Sequence, residues 1–136
     1  MTGRALQAGL AVLVAATVSA PFATADQPVL RQVTYTVTAD HPVTADVYYR
    51  DTDPPTWADY SHNPYRYSPK ARAEIGPHQP WVLSVALADP DRWAMVSATS
   101  GLLPGEPLFR CELAVDGVVV ATGEGARGAL CSLRHW

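Results

Sequence analysis

Leu108-Phe109-Arg110-Cys111-Glu112-Leu113-Ala114-Val115-Asp116-Gly117-Val118-Val119-Val120 is the stretch that decides the fold. Phe109, Cys111, Leu113 and Val115 recur every second residue, with Arg110 and Glu112 between them, which is the pattern of a strand buried on one face. Asp116-Gly117 then fits a two-residue type I′ turn, where glycine tolerates the positive φ that the strand twist demands. Such a turn pairs Val115 with Val118 and Leu113 with Val120, and so places Val118, Val120 and Thr122 on the same inward face. Gly123–Gly128 reads as a flexible loop, and Ala129–Leu133 as a last strand with Cys131 between inward Ala129 and Leu133.

Cys111 and Cys131 are the only cysteines, and separate alternation arguments point both at one interior. They are expected to form a disulfide that ties consecutive strands. The other reading, two free buried thiols, requires a reducing compartment.

The N-terminus speaks for export. Arg4 gives a short segment its one positive charge, and Ala5–Val18 is an apolar run broken by Gln7 and Thr17. Ala23-Thr24-Ala25 supplies the small-x-small pattern of a cleavage site, so residues 1–25 read as a signal peptide and Asp26 as the new N-terminus. Cleavage after Ala20 is disfavoured because Pro21 would follow the cut. The alternative is an uncleaved membrane anchor, but a spanning helix needs about 20 apolar residues and would take in Ser19 and Pro21. Residues 26–136 are then one domain, large enough to bury roughly two-thirds of its unfolded surface.

Further upstream, Val33, Tyr35, Val37 and Ala39 alternate with threonines, Asp40-His41-Pro42 turns the chain, and Val43, Ala45, Val47 and Tyr49 resume the alternation through Arg50. These two strands are expected to pair as a hairpin. Asp51–Pro69 is different: four prolines and the aromatics Trp57, Tyr60, Tyr65 and Tyr67 argue against a central strand or a regular helix. Lys70–Ile75 fits a short edge strand. Trp81–Ala88 is apolar or small on both faces, which predicts a strand covered on both sides. Asp89-Pro90-Asp91 turns the chain into a strand at Trp93–Thr99, and Gly101–Pro107 connects onward. Seven or eight such strands predict an all-β, immunoglobulin-like antiparallel sandwich with one disulfide, its edges guarded against strand addition and the insert a candidate cover for one of them.

Chemistry is sparse. His41, His62, His78 and His135 lie near prolines or the C-terminus without ligand spacing, and Asp46, Asp51 and Asp53 lack a calcium-loop pattern. No nucleophile elbow, phosphate-cradling loop or dinucleotide fingerprint occurs. The expectation is a protein that is not an enzyme and has no cofactor. A formal net charge of −3, with no basic stripe, argues against nucleic acid as a partner. The 51–69 insert is the candidate binding loop through Trp57, Tyr60, Tyr65, Arg66 and Tyr67, because aromatic side chains bring large amphipathic area at low entropic cost. For Trp57 packing against the sandwich is the stronger expectation; for Tyr65 and Tyr67 packing and binding stand level.

Val43-Thr44-Ala45-Asp46-Val47-Tyr48-Tyr49, Pro80-Trp81 and the Cys111–Val119 hairpin, ending in Cys131, together resemble the small mycobacterial membrane protein (MmpS) family over most of Arg31–Leu133. That resemblance implies an extracytoplasmic β-sandwich without catalysis. It would stand beside a resistance-nodulation-division transporter that exports lipid or siderophore. Two features depart from the family: the N-terminus looks cleavable, and the insert is longer and more aromatic. The alternative is a free secreted module whose insert engages a protein, glycan or lipid; membrane contact is expected only if the leader stays uncleaved.

Overall fold

The computed structural model describes residues 2–3, 9, 11–19, 27–102 and 105–135. The cleavage motif Ala23–Ala25, the new N-terminus at Asp26 and the leader charge Arg4 lie outside those residues. No helix among the described residues is long and apolar enough to cross a membrane.

Among the described residues, eight strands form two four-stranded antiparallel sheets: β1 (Arg31–Ala39), β2 (Val43–Tyr49), β3 (Lys70–Ile75), β4 (Trp81–Leu87), β5 (Met95–Thr99), β6 (Leu108–Val115), β7 (Val118–Ala126) and β8 (Gly128–Ser132). One sheet has the order β4-β1-β6-β7 and the other β3-β2-β5-β8. The second follows the immunoglobulin arrangement of its C-F-G side with a C′ edge; in the first, the β6–β7 hairpin lies beside β1 where an immunoglobulin A strand would be. Val33, Tyr35, Val37, Val47, Leu87, Val96, Phe109 and Leu113 are wholly excluded from solvent and interdigitate between the sheets. Each contributes about 1.5–3 kcal/mol by leaving water.

The β1–β2 hairpin expected from the sequence does not form. β1 pairs with β4 and β6, and β2 pairs with β3 and β5, so Asp40-His41-Pro42 carries the chain from one sheet to the other. Alternation fixes which face of a strand is buried, and two strands facing each other across a sandwich satisfy it as well as two neighbours do. Asp40 decides the matter locally: its N–H donates to the Leu108 carbonyl at 3.1 Å and its carboxylate accepts from the Leu108 N–H at 3.0 Å, locking the end of β1 to β6.

Asp116 and Gly117 adopt φ of 51° and 83°, as the predicted turn requires. Val115 pairs with Val118, but the ladder then shifts: Ala114 faces Val119 and Leu113 faces Ala121, leaving Val120 as the extra residue of a β-bulge. Beyond the bulge the faces of β7 are reversed: Val120 and Thr122 are exposed rather than inward, and Ala121, Gly123 and Gly125 turn toward the interior instead, while Val118, still opposite Val115 beside the turn, is exposed as well. The expected 123–128 loop is strand on both sides of a turn at Arg127, because those glycines let β7 lie against β8. A Cβ on Gly123 would sit 2.5 Å from the Leu130 carbonyl oxygen and 3.1 Å and 3.3 Å from the Cys111 and Cys131 sulfurs.

The disulfide forms between Cys111 and Cys131, with Cα atoms 6.1 Å apart. It joins β6 to β8, and therefore one sheet to the other, rather than two consecutive strands. β4 departs from the expectation of cover on both sides: it is an edge strand, with Val82, Ser84 and Ala86 exposed on the outer face. β3 is an edge strand as expected. Trp93 belongs to α2 (Pro90–Trp93), a single turn capped by the Asp89 carboxylate, which accepts from the Arg92 N–H.

The antiparallel topology sorts the connections into two poles. Arg31, the Asp116-Gly117 turn, the 51–69 insert, α2 and the C-terminal residues after β8 gather at one pole, and the turns at 40–42, 76–80 and 127 at the other.

Candidate functional site: an aromatic cluster built by the insert

The insert contains regular structure despite its prolines. Pro54 and Pro55 precede α1 (Trp57–His62), which avoids proline within its own span. Thr56 caps α1: its hydroxyl oxygen accepts from the Asp59 N–H at 3.1 Å and its proton goes to the Asp59 carboxylate at 2.6 Å. Pro64 opens a 3₁₀ turn over Pro64–Tyr67. Asp53 fastens the insert to the sandwich, its carboxylate accepting from the N–H groups of Ala88 at 2.7 Å and Asp89 at 2.8 Å.

α1 presents Trp57 and Tyr60 to Trp93 of α2. Trp57 stacks on Trp93 at 6.2 Å with 20° between ring planes, and Tyr60 lies 5.3 Å from Trp57 and 5.6 Å from Trp93. Beneath them Arg50, directly after β2, is fully buried. Its guanidinium lies 4.5 Å from the centre of the Tyr60 ring and 5.6 Å from that of Trp93, and it donates to the Ser68 hydroxyl at 3.4 Å. Aromatic faces carry negative charge density, so they compensate part of what a buried cation loses by leaving water. Above, Arg134 lies 4.0 Å over the Trp57 ring, and Arg92 lies 5.5 Å over Trp93. The result is an arginine–aromatic stack running from the core to the surface.

Tyr35 couples this stack to the sandwich. Its hydroxyl donates to the Arg50 carbonyl at 2.7 Å and accepts from the Met95 N–H at 3.4 Å, and burial pushes its pKa up to about 12. At the same pole, the Asp116 carboxylate accepts from Arg31 Nε and from the Gln32 N–H. These bonds, the Arg31 contact foremost, hold it below the usual carboxylate range.

The structure thus divides the candidate residues. Trp57 and Tyr60 join the cluster, Trp57 remaining 40 % exposed. Tyr65 projects into solvent at 84 % exposure, and Arg66 lies 5.7 Å over Tyr67 on the 3₁₀ turn. A shallow groove between α1 and the 3₁₀ turn is lined by Ala58, Asp59, His62, Asn63, Arg66 and Tyr67. Sequence reading missed Arg50, Trp93 and Arg134. Arg50 follows an alternating strand as an ordinary polar terminator, and Trp93 follows a turn in a position that fits a strand start; only the folded insert reveals them. Among the described residues, no group of three or more His, Cys, Asp or Glu side chains is placed to hold a metal ion. His41 contacts Asp40 at 2.7 Å, and Asp46 lies opposite Arg72 within the sheet, apart from Asp53.

Two disulfide-joined sheets with a capped aromatic insert define a β-sandwich domain whose distinguishing surface is a loop cluster at one pole. The chain belongs to the Rv2576c β-sandwich domain family, whose model matches residues 35–131. It is 41 % identical over 109 residues to "Uncharacterized protein Rv2576c" of Mycobacterium tuberculosis (strain ATCC 25618 / H37Rv), covering 80 % of this chain and 70 % of that protein. The same identity and coverage hold for "Uncharacterized protein Mb2606c" of Mycobacterium bovis (strain ATCC BAA-935 / AF2122/97).

Proposed function

We propose that the protein is a non-catalytic binding domain of the extracytoplasmic cell envelope, and that it engages its partner through the aromatic pole. The observation that carries this reading is the insert itself. Some nineteen residues (51–69) form an ordered structure held by Asp53, Thr56 and Arg50, yet leave Tyr65, Arg66 and part of Trp57 exposed. An insert that only sealed the core would have no use for an outward tyrosine beside an arginine. The disulfide supports an oxidising compartment, in keeping with the apolar leader.

Epitope-tagged protein isolated from envelope membranes, followed by lipid and protein mass spectrometry, tests the reading. A partner recovered with the wild type and lost with Tyr65→Ser/Arg66→Ser supports it. A partner recovered equally with both places the binding surface elsewhere. A second reading, in which the domain assists a resistance-nodulation-division transporter of lipid or siderophore, draws on the MmpS resemblance and on the chain entering the domain at the aromatic pole. Fractionation with N-terminal sequencing separates the two: a membrane-retained product starting at Met1 or Thr2 favours the transporter accessory, and a soluble one starting near Asp26 favours the free module.

A further inference from the structure

We propose that β4 is a self-association edge: two copies pair antiparallel through Trp81–Leu87, about a two-fold axis at Ser84, joining their four-stranded sheets into one continuous sheet. Every sheet edge exposes unpaired backbone N–H and C=O groups, and proteins guard them with charges, bulges or cover. Three of the four edges here are guarded. β3 turns Lys70, Arg72 and Glu74 outward, β7 carries a bulge and Glu124, and β8 is short and lies under the glycines of β7. β4 has no charge, proline or glycine in Trp81-Val82-Leu83-Ser84-Val85-Ala86-Leu87. The insert meets this strand's C-terminal end, through Asp53 on Ala88, and its aromatic rings stack on Trp93 rather than along β4.

The side chains are also incomplete. Val33, Tyr35 and Val37 of β1 are fully buried, whereas Val85, Leu83 and Trp81 opposite them on β4 are only half-buried. A further strand on the outer side of β4 would complete that row.

A second copy fits because the strand nearly mirrors itself. Centred on Ser84, antiparallel pairing sets Val82 against Ala86 of the partner subunit on the outer face. On the inner face it sets Leu83 against Val85 of the partner subunit, and Trp81 against Leu87 of the partner subunit. Large residues thus meet aliphatic ones, and no charge is opposed within the strand. Beyond it, the His78 turn of one copy approaches the Asp89–Asp91 turn of the other, so acidic turns do not confront each other. The contact is isologous and closes at two subunits. Strand pairing alone is a small interface, so a dissociation constant on the order of 10–100 μM is expected.

Sedimentation velocity of the exported protein over a wide concentration range tests this, with far-UV circular dichroism to verify folding. The wild type should pass from monomer to dimer. Ser84→Lys and Ser84→Asp, each placing like charges face to face on the axis, should each weaken the dimer at least tenfold, and an equimolar mixture of the two should restore it. If Ser84 variants misfold through loss of the Thr34–Ser84 hydroxyl contact at 3.1 Å, Ala86→Lys on the same exposed face should weaken association to a similar degree. A wild type that stays monomeric, or folded variants that associate as tightly as wild type, overturns the proposal. None of these outcomes depends on the aromatic pole binding anything.

Discussion

Replacing Gly123 by alanine tests the bulged register of β7 with one methyl group. The new Cβ would lie 2.5 Å from the Leu130 carbonyl oxygen, where ordinary contact begins at 3.4 Å, so β7 must retreat by about 0.9 Å. Retreat is obstructed because Gly123 pairs with Cys111 in the ladder, and the same Cβ lies 3.1 Å and 3.3 Å from the two disulfide sulfurs. A backbone carbonyl and a crosslink both crowd the new methyl, and neither is the free end of a flexible side chain, which places the cost at the upper end of overpacking, about 3 kcal/mol. For a domain of this size that corresponds to a fall in melting temperature of roughly 12 °C. Thr122→Ala, one residue away and solvent-exposed, should change stability by less than about 0.5 kcal/mol. An unbulged hairpin reverses the order, because Thr122 would then face the core and Gly123 the solvent. Urea denaturation followed by circular dichroism measures both variants. A Gly123→Ala protein as stable as wild type, beside a Thr122→Ala protein that loses more than about 1 kcal/mol, would refute the bulge.

Removing the disulfide by Cys111→Ala/Cys131→Ala should cost roughly 3 kcal/mol, as expected for a crosslink spanning 20 residues; because both sulfurs are buried, reduction of the wild type by a phosphine should be slow and should accelerate in urea. Tyr35 predicts an alkaline transition. Its folded pKa of about 12 stands above the ordinary tyrosine value of 10.0, so its contribution is complete below pH 10 and is lost as pH rises toward 12, amounting to about 2–3 kcal/mol. Urea melts at pH 9 and pH 11.5 should show most of that loss in the wild type, and a smaller one in Tyr35→Phe. Tyr65→Ser should leave the unfolding free energy from urea melts within about 0.5 kcal/mol of wild type, since its ring lies in solvent; a loss above roughly 2 kcal/mol would place it in the core.

The inward rows of β1, β2, β6 and β8 were legible because each alternates strictly, and the two cysteines could be paired because both fell on such rows. Strand partners were less legible. Alternation carries no information about which sheet a strand joins, so the apparent β1–β2 hairpin resolved into a crossing between sheets, fixed by the Asp40–Leu108 bonds. β7 misled for a different reason: three consecutive valines satisfy either phase, and the choice rests on Gly123 and Gly125, whose missing side chains give no hydrophobic signal. The insert showed its aromatics, but not that two short helical turns would bring Trp57 and Tyr60 onto Trp93, a residue some thirty positions away. Arg50 was invisible as a site residue, because its burial is created by the segment that follows it.

The start of β1, the residues after β8 and the aromatic insert share one pole of the sandwich, which constrains how the domain can be held. Whatever precedes Arg31 emerges beside the Asp116 turn, and Arg134 brings the tail onto Trp57. A leader retained in the bilayer would therefore aim the tyrosine-bearing end back at the lipid. A reporter or affinity handle joined directly before Arg31 or after Arg134 would crowd that same tip. Attachment at the far turns, 40–42 or 76–80, would leave it unobstructed.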